Sequence, residues 1–255
     1  NKNNSYLEIF YLSILGLVCF CSGERMAFAT YFLSLFFLLV FLNKKRVIIF
    51  SSIIISIILI FSTYKLHPSY NDFKIINSSN YHQGLTVEKY FECEKDPTII
   101  CNKIIKLQPS FIEIIKNFST SAYGEIYKVG WTMFLENPIT GIGISNYQTA
   151  CLNIKKYNKL MVNYECASHP HNTYVQWLSE GGIIALISFL FYIASIILII
   201  FKGINGNNIK IISFACMLIL FWPIMSTGSL IKNWNGVMTF YIISLCICIN
   251  RVKLN

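Results

Sequence analysis

The chain has 255 residues, of which 55% are hydrophobic and only 13% charged, with a mean hydropathy of +0.54. Those values lie outside the range of a soluble globular domain and predict an all-α polytopic membrane protein. A net charge of +9 would suit a nucleic-acid partner, but the basic residues sit in short segments between apolar runs, so the expected partners are membrane lipids and no nucleic acid.

In chain order, the apolar runs cover about 6–22, 26–42, 47–64, 183–201, 211–230 and 236–250, giving about six transmembrane helices. Several are long enough, at about 1.5 Å per residue, to cross a hydrocarbon core of roughly 30 Å. Three regions follow: spans in 1–64, a large, partly helical loop domain over 65–182, and further spans in 183–255. The chain opens without Met and enters its first apolar run almost at once, which reads as a segment of a longer protein. Lys2, then Lys44, Lys45 and Arg46, then Lys202 and Lys210, then Arg251 and Lys253 all fall on one side if the spans alternate. The opposite short loops hold only Arg25 and Lys232. Positive charge marks the cytoplasmic side, so the 65–182 loop is expected on the far side.

Cysteine usage divides the same way. Cys19, Cys21, Cys216, Cys246 and Cys248 lie in apolar runs, where cysteine serves as a small hydrophobe. Cys93, Cys101, Cys151 and Cys166 lie in the loop. In an oxidising compartment these can pair, and local pairing, 93 with 101 and 151 with 166, is preferred among the connectivities, with free thiols as the alternative.

Within the loop, 65–108 is polar and mixed, punctuated by Pro68, Pro97 and Pro109, and is expected to hold little regular structure. Ser110 with Glu113 makes a capping box, and Phe111, Ile114, Ile115 and Phe118 follow at helical spacing. A second amphipathic helix is predicted over about 122–136, with Tyr123, Ile126, Tyr127, Trp131, Phe134 and Leu135 on one face and Asn137–Pro138 as its stop. Gly141 to Asn146 then reads as a turn, without the strand and helix a dinucleotide loop requires. These helices either pack on each other or lie on the bilayer surface.

The segment "CASHPHNTYVQWLSEGG", 166–182, precedes the next apolar run. Ser168 as a cap and Pro170 in the first turn predict a helix that carries His171, Tyr174, Val175 and Leu178 along one face. Trp177 suits a membrane interface. Gly181 and Gly182 would loosen the helix before Ile183, and Glu180 is either a partner standing behind the site residues or, as preferred, a solvated residue ahead of the glycines. His169 and His171, two apart on a helix, would point about 200° apart and share no metal ion. No HExxH pattern or second histidine cluster supports a zinc site either. By residue type alone, both histidines also fit an ordinary interfacial role.

Taken together, "SGERMAF" at 22–28, "NPITGIGISNY" and "HPHNTYVQWLSEGG" resemble the signature of the O-antigen ligase and O-antigen polymerase superfamily. The resemblance implies a bacterial inner-membrane, multi-pass glycosyltransferase with its active site on the periplasmic face. Such an enzyme moves a glycan from an undecaprenyl diphosphate carrier to an acceptor hydroxyl on lipid A–core or another glycan, without metal or other cofactor. It further implies that His171 is the essential histidine and that Arg25 contacts the donor's pyrophosphate. His169 and Asn172 are also expected at the substrate, Asn172 either orienting His171 or capping the helix. The family's second arginine falls where this chain has Tyr123, so Lys128, one turn on, is the available substitute, as a point charge and not a two-pronged fork.

Ligase, polymerase and protein O-oligosaccharyltransferase share this pattern, and the ligase reading is preferred because His171 fits it. A transporter or lipid flippase is the alternative outside enzymes. It would be expected to carry ionisable groups in mid-span, whereas Glu8 and Arg25 lie at span ends and Pro223 is the one expected kink.

Overall fold

The computed structural model describes residues 2–66, 118–162, 164–224, 228–231 and 233–252. The Ser110–Glu113 capping box with the run that begins there, and the Cys93 and Cys101 pair, lie outside these residues.

Among the described residues every regular element is a helix. They are α1 (Lys2–Cys21), α2 (Arg25–Phe41), α3 (Arg46–Leu66), α4 (Ala122–Glu136), α5 (Tyr147–Asn153), α6 (Lys155–Asn158), α7 (Thr173–Phe201), α8 (Asn207–Leu220) and α9 (Asn233–Arg251). Asn4–Cys21, Asn43–Leu66 and Thr173–Phe201 are long and apolar enough to cross a membrane, while Met26–Phe41 and Asn207–Leu220 are shorter apolar helices. The run expected over 211–230 therefore ends early. Phe221 caps α8, and Pro223 follows, with no N–H to continue the helix and a ring that forces its predecessor out of helical geometry.

The chain divides into two compact units, 1–28 with 47–111 and 29–46 with 112–255. In the first, α1 meets α3 through hydroxyls: Ser13 Oγ donates to the Ser52 carbonyl and Ser56 Oγ to the Ser13 carbonyl, each at 3.4 Å. Small side chains let two apolar helices approach closely where neither gains by leaving lipid.

In the second unit, the Arg46 guanidinium closes the end of α2, with Nε on the Leu39 carbonyl and Nη2 on the Val40 carbonyl, both at 3.0 Å. These are carbonyls that a helix end leaves without partners. Phe189, Ile196 and Ile200 of α7 pack with Met217 of α8, Phe221, and Ile243 and Cys246 of α9 in one apolar core. Asn250 ties the far end, its side-chain amide donating to Ser213 Oγ and the Cys246 carbonyl, both at 2.8 Å, while its backbone carbonyl accepts from Ile204 N–H at 3.0 Å.

α4 runs over the residues its periodicity predicts, with Ser121 capping it by accepting from Gly124 N–H at 3.1 Å and Asn137 ending it. Its apolar residues do not form one face, however. Ile126, Val129 and Met133 are buried with Tyr147, Cys151 and Tyr157, whereas Trp131 and Leu135 face outward. Cys151 and Cys166 form a disulfide with their Cα atoms 5.9 Å apart, tying α5 to the segment that leads to the histidines.

Candidate active site

The histidine segment is not helical. The helix predicted to begin at Ser168 begins instead at Thr173, and its cap is Asn172, whose Oδ1 accepts from Tyr174 N–H at 2.9 Å and Val175 N–H at 3.1 Å. An asparagine carboxamide satisfies orphan N–H groups well, and it lies closer to the apolar run than Ser168 does. The Asn172 side chain also donates through Nδ2 to the Pro223 carbonyl at 2.8 Å, and Tyr174 OH donates to the Phe221 carbonyl at 2.6 Å. Both bonds fasten the start of α7 to the turn after α8.

Freed from the helix, His171 takes a left-handed backbone, φ 53°. That conformation is uncommon outside glycine and carries a local cost, the kind of strain that collects at functional sites. It also changes the relation between the two imidazoles. Their ring centroids lie 4.2 Å apart, inclined at 47°, where a helix would have turned them to opposite faces. Ser168 Oγ engages His169 Nδ1 at 2.9 Å. Among the described residues no three His, Cys, Asp or Glu side chains gather where they could hold an ion.

α4 supplies the other wall. Tyr123 meets His171 edge to face, ring centroids 6.0 Å apart, and Tyr127, one turn on, hydrogen-bonds the Asn172 side chain. Burial pushes the His171 imidazole below its usual value, and the neighbouring His169 pushes it further in the same direction. The neutral ring, able to accept a proton, is thus the form favoured near neutral pH. Burial raises the Tyr127 phenol, against the hydrogen bond to Asn172, so it stays protonated.

This wall is held by a backbone exchange between two glycine pairs. α7 breaks at Gly182, φ 66° and ψ −164°, a region that glycine alone adopts readily. The break frees the Ser179 and Glu180 carbonyls, and the N–H groups of Ile142 and Gly143 bond them at 3.0 and 2.9 Å. In return Ile183 N–H donates to the Pro138 carbonyl at 2.9 Å. A Cβ on Gly182 would stand 2.3 Å from the Ile139 carbonyl oxygen, and one on Gly141 would stand 2.4 Å from the Glu180 carbonyl carbon. Gly130 serves the same end further up, since a Cβ there would meet Val175 at 2.7 Å. The "GIG" and "GG" pieces of the sequence are therefore two halves of one joint.

Glu180 is not solvated, as its place before the glycines suggested, but is 1% exposed. Its Oε1 accepts from Tyr147 N–H at 3.1 Å, and its Oε2 accepts from Gln176 Nε2 at 3.0 Å, which also donates to Ser229 Oγ at 2.9 Å. Buried polar atoms cost little when bonded, and here they link α5, α7 and the segment before α9. Deeper in, Tyr147 OH donates to the Ile126 carbonyl at 2.9 Å, fixing α5 to α4.

His169, His171, Asn172 and Tyr123 are thus brought together, and sequence reasoning missed Tyr127, whose spacing four residues after Tyr123 was the available signal. Lys128 is not part of this wall: it is exposed, and five residues of helix turn it about 140° from Tyr123. Arg25 opens α2 and belongs to the first unit, while the histidines belong to the second.

No curated protein and no solved structure matches the chain. The family described as O-antigen ligase matches residues 10–190, from α1 through the loop helices, the histidine segment and the glycine joint into α7. The motifs that resemble that superfamily fall inside the match, so the chain belongs to the O-antigen ligase family, membrane glycosyltransferases of the ligase and polymerase type.

Proposed function

We propose that the chain transfers a glycan from an undecaprenyl diphosphate carrier to an acceptor hydroxyl on lipid A–core, on the periplasmic face of the bacterial inner membrane, with His171 as general base. The observation that carries the reading is the setting of His171: a half-buried imidazole, held neutral, in a strained loop capped by Asn172 and walled by Tyr123.

The chemistry asks for two groups. As the acceptor oxygen bonds the anomeric carbon, its proton passes to His171, a task that contributes about 10²–10⁴-fold in rate. The carbon–oxygen bond to the pyrophosphate breaks at the same centre, and a guanidinium suits the leaving group because two parallel hydrogen bonds fit phosphate oxygens. Arg25 is assigned that role by its place in "SGER". Proton and charge balance with no metal or other cofactor written into the step. Tyr123 offers its ring face to a sugar beside the imidazole, and His169 lowers the proton affinity of His171.

The test is deletion of the gene in the native host, complementation with wild type or His171→Ala, and a lipopolysaccharide gel. Loss of all long glycans on lipid A in the deletion supports the ligase assignment. Single-repeat caps would move the acceptor to another glycan, the polymerase reaction. An unchanged ladder overturns both. Full transfer by an inserted, folded His171→Ala protein would end the general-base assignment.

A further inference from the structure

α7 is two helical pieces joined across the break at Gly182. The second, Ile183–Phe201, is about 28 Å long at about 1.5 Å per residue, close to a hydrocarbon core of roughly 30 Å. The first, Thr173–Gly181, lies ahead of the break, and its composition differs. Thr173–Gly181 contains Gln176, Ser179 and Glu180, all buried in protein, while Ile183, Ile184, Ile187, Leu190, Phe191 and Leu198 face outward along the rest. The hydrocarbon boundary thus falls near Gly182, at the joint where Ile183 N–H holds the Pro138 carbonyl.

α4 runs beside the first part of α7 towards that boundary, since Tyr123 is level with His171, Gly130 with Val175 and Ser179, and Pro138 with Ile183. Its outward face carries Lys128, Trp131 and Leu135 at i, i+3 and i+7, on the side away from the buried Ile126, Val129 and Met133. Ile139 and Ile144, in the turn that follows, are 62% and 47% exposed. The order along the chain is cation, indole, aliphatic, which is the order of a bilayer from headgroup to acyl boundary.

We propose that the Trp131, Leu135, Ile139 and Ile144 face is a lipid-binding surface, seated in the interfacial layer of the bilayer with Lys128 reaching headgroup phosphates. The occupant is lipid because Ile139 and Ile144 stand against Gly182 and Gly181, beside Ile183 and Ile184, where the outward-facing apolar run of α7 begins. This surface is independent of the chemistry assigned to His171. It holds the histidine loop at a fixed height above the hydrocarbon.

The test uses the full chain in vesicles of phosphatidylethanolamine and phosphatidylglycerol, with and without bromine high on the acyl chains. The difference in tryptophan emission between wild type and Trp131→Phe isolates one indole, and that exposed position tolerates phenylalanine. The Trp131 component is expected to lose most of its emission to bromolipid and to resist aqueous acrylamide, and Ile139→Asp should weaken the bromolipid effect. Quenching by acrylamide with indifference to bromine would overturn the proposal, as would shelter from both quenchers, which would assign the face to a protein partner.

Discussion

The two parts of α7 form one helix in sequence but answer to different surroundings. From Thr173 to Gly181 the helix is polar, and its Gln176, Ser179 and Glu180 are buried against other segments. From Ile183 to Phe201 it is apolar, and many of its largest side chains point outward. Each part alone would be read wrongly by the rule that apolar means inside. In water-facing protein, burial selects the polar groups that find partners; in lipid, exposure selects the apolar groups that need none. Gly182 separates the two regimes.

The comparison breaks most sharply at that glycine. Gly182→Ala adds a Cβ against the Ile139 carbonyl at a backbone angle that alanine adopts poorly, and should cost about 2–5 kcal/mol from strain and overpacking combined. Thermal unfolding of the purified protein in detergent should show a clear loss for this variant. A wild-type melting temperature would mean the joint is not fixed by that contact.

A second, smaller effect sharpens the contrast between the two parts. Glu180→Ala leaves Tyr147 N–H without its acceptor, a loss of about 1–3 kcal/mol, while Gln176 Nε2 keeps Ser229 Oγ. Ile187→Ala, on the outward side of the same helix, should fall within about 0.5 kcal/mol. Equal losses in the same unfolding assay would show that the two parts are not differently buried.

The smallest expected effect is a shift of pH dependence. Since burial and His169 both depress the His171 pKa, the neutral imidazole persists below the ordinary value of about 6.5, and on the general-base role proposed for it the acid limb of the transfer rate should lie below that pH. His169→Ala removes one depressing charge and should move the limb upward. A limb that stays in place would show that the two rings do not interact in solution, and one that moves to lower pH would show that His169 raises the His171 pKa instead.

The membrane class and the bounds of α4 were legible because each depends on local composition: apolar runs for the one, and helical spacing from Tyr123 with an Asn137–Pro138 stop for the other. The histidine loop was misread for an equally local reason. Ser168 and Pro170 form a plausible helix start, Asn172 was open as a cap by residue type, and its contact with Pro223, 51 positions away, is what favours the later cap. Glu180 belongs to the same class of error, its partners lying at Tyr147 and Gln176 rather than in solvent. The glycines of "GIG" and "GG" could be counted in the sequence, but their complementarity appears only when the backbones are side by side. The apolar periodicity of α4 mixed two faces, because lipid and protein interior both accept Trp131 and Ile126 types of side chain.

The disulfide at Cys166 and the cap at Asn172 act as the two abutments of a very short bridge. The residues between them, 167–171, include both imidazoles, and even fully extended each adds only about 3.5 Å of reach. A loop this short, fastened at both ends, ties the two rings to α5 on one side and to α7 on the other. Reducing the disulfide or removing the Asn172 cap would therefore loosen both rings at once.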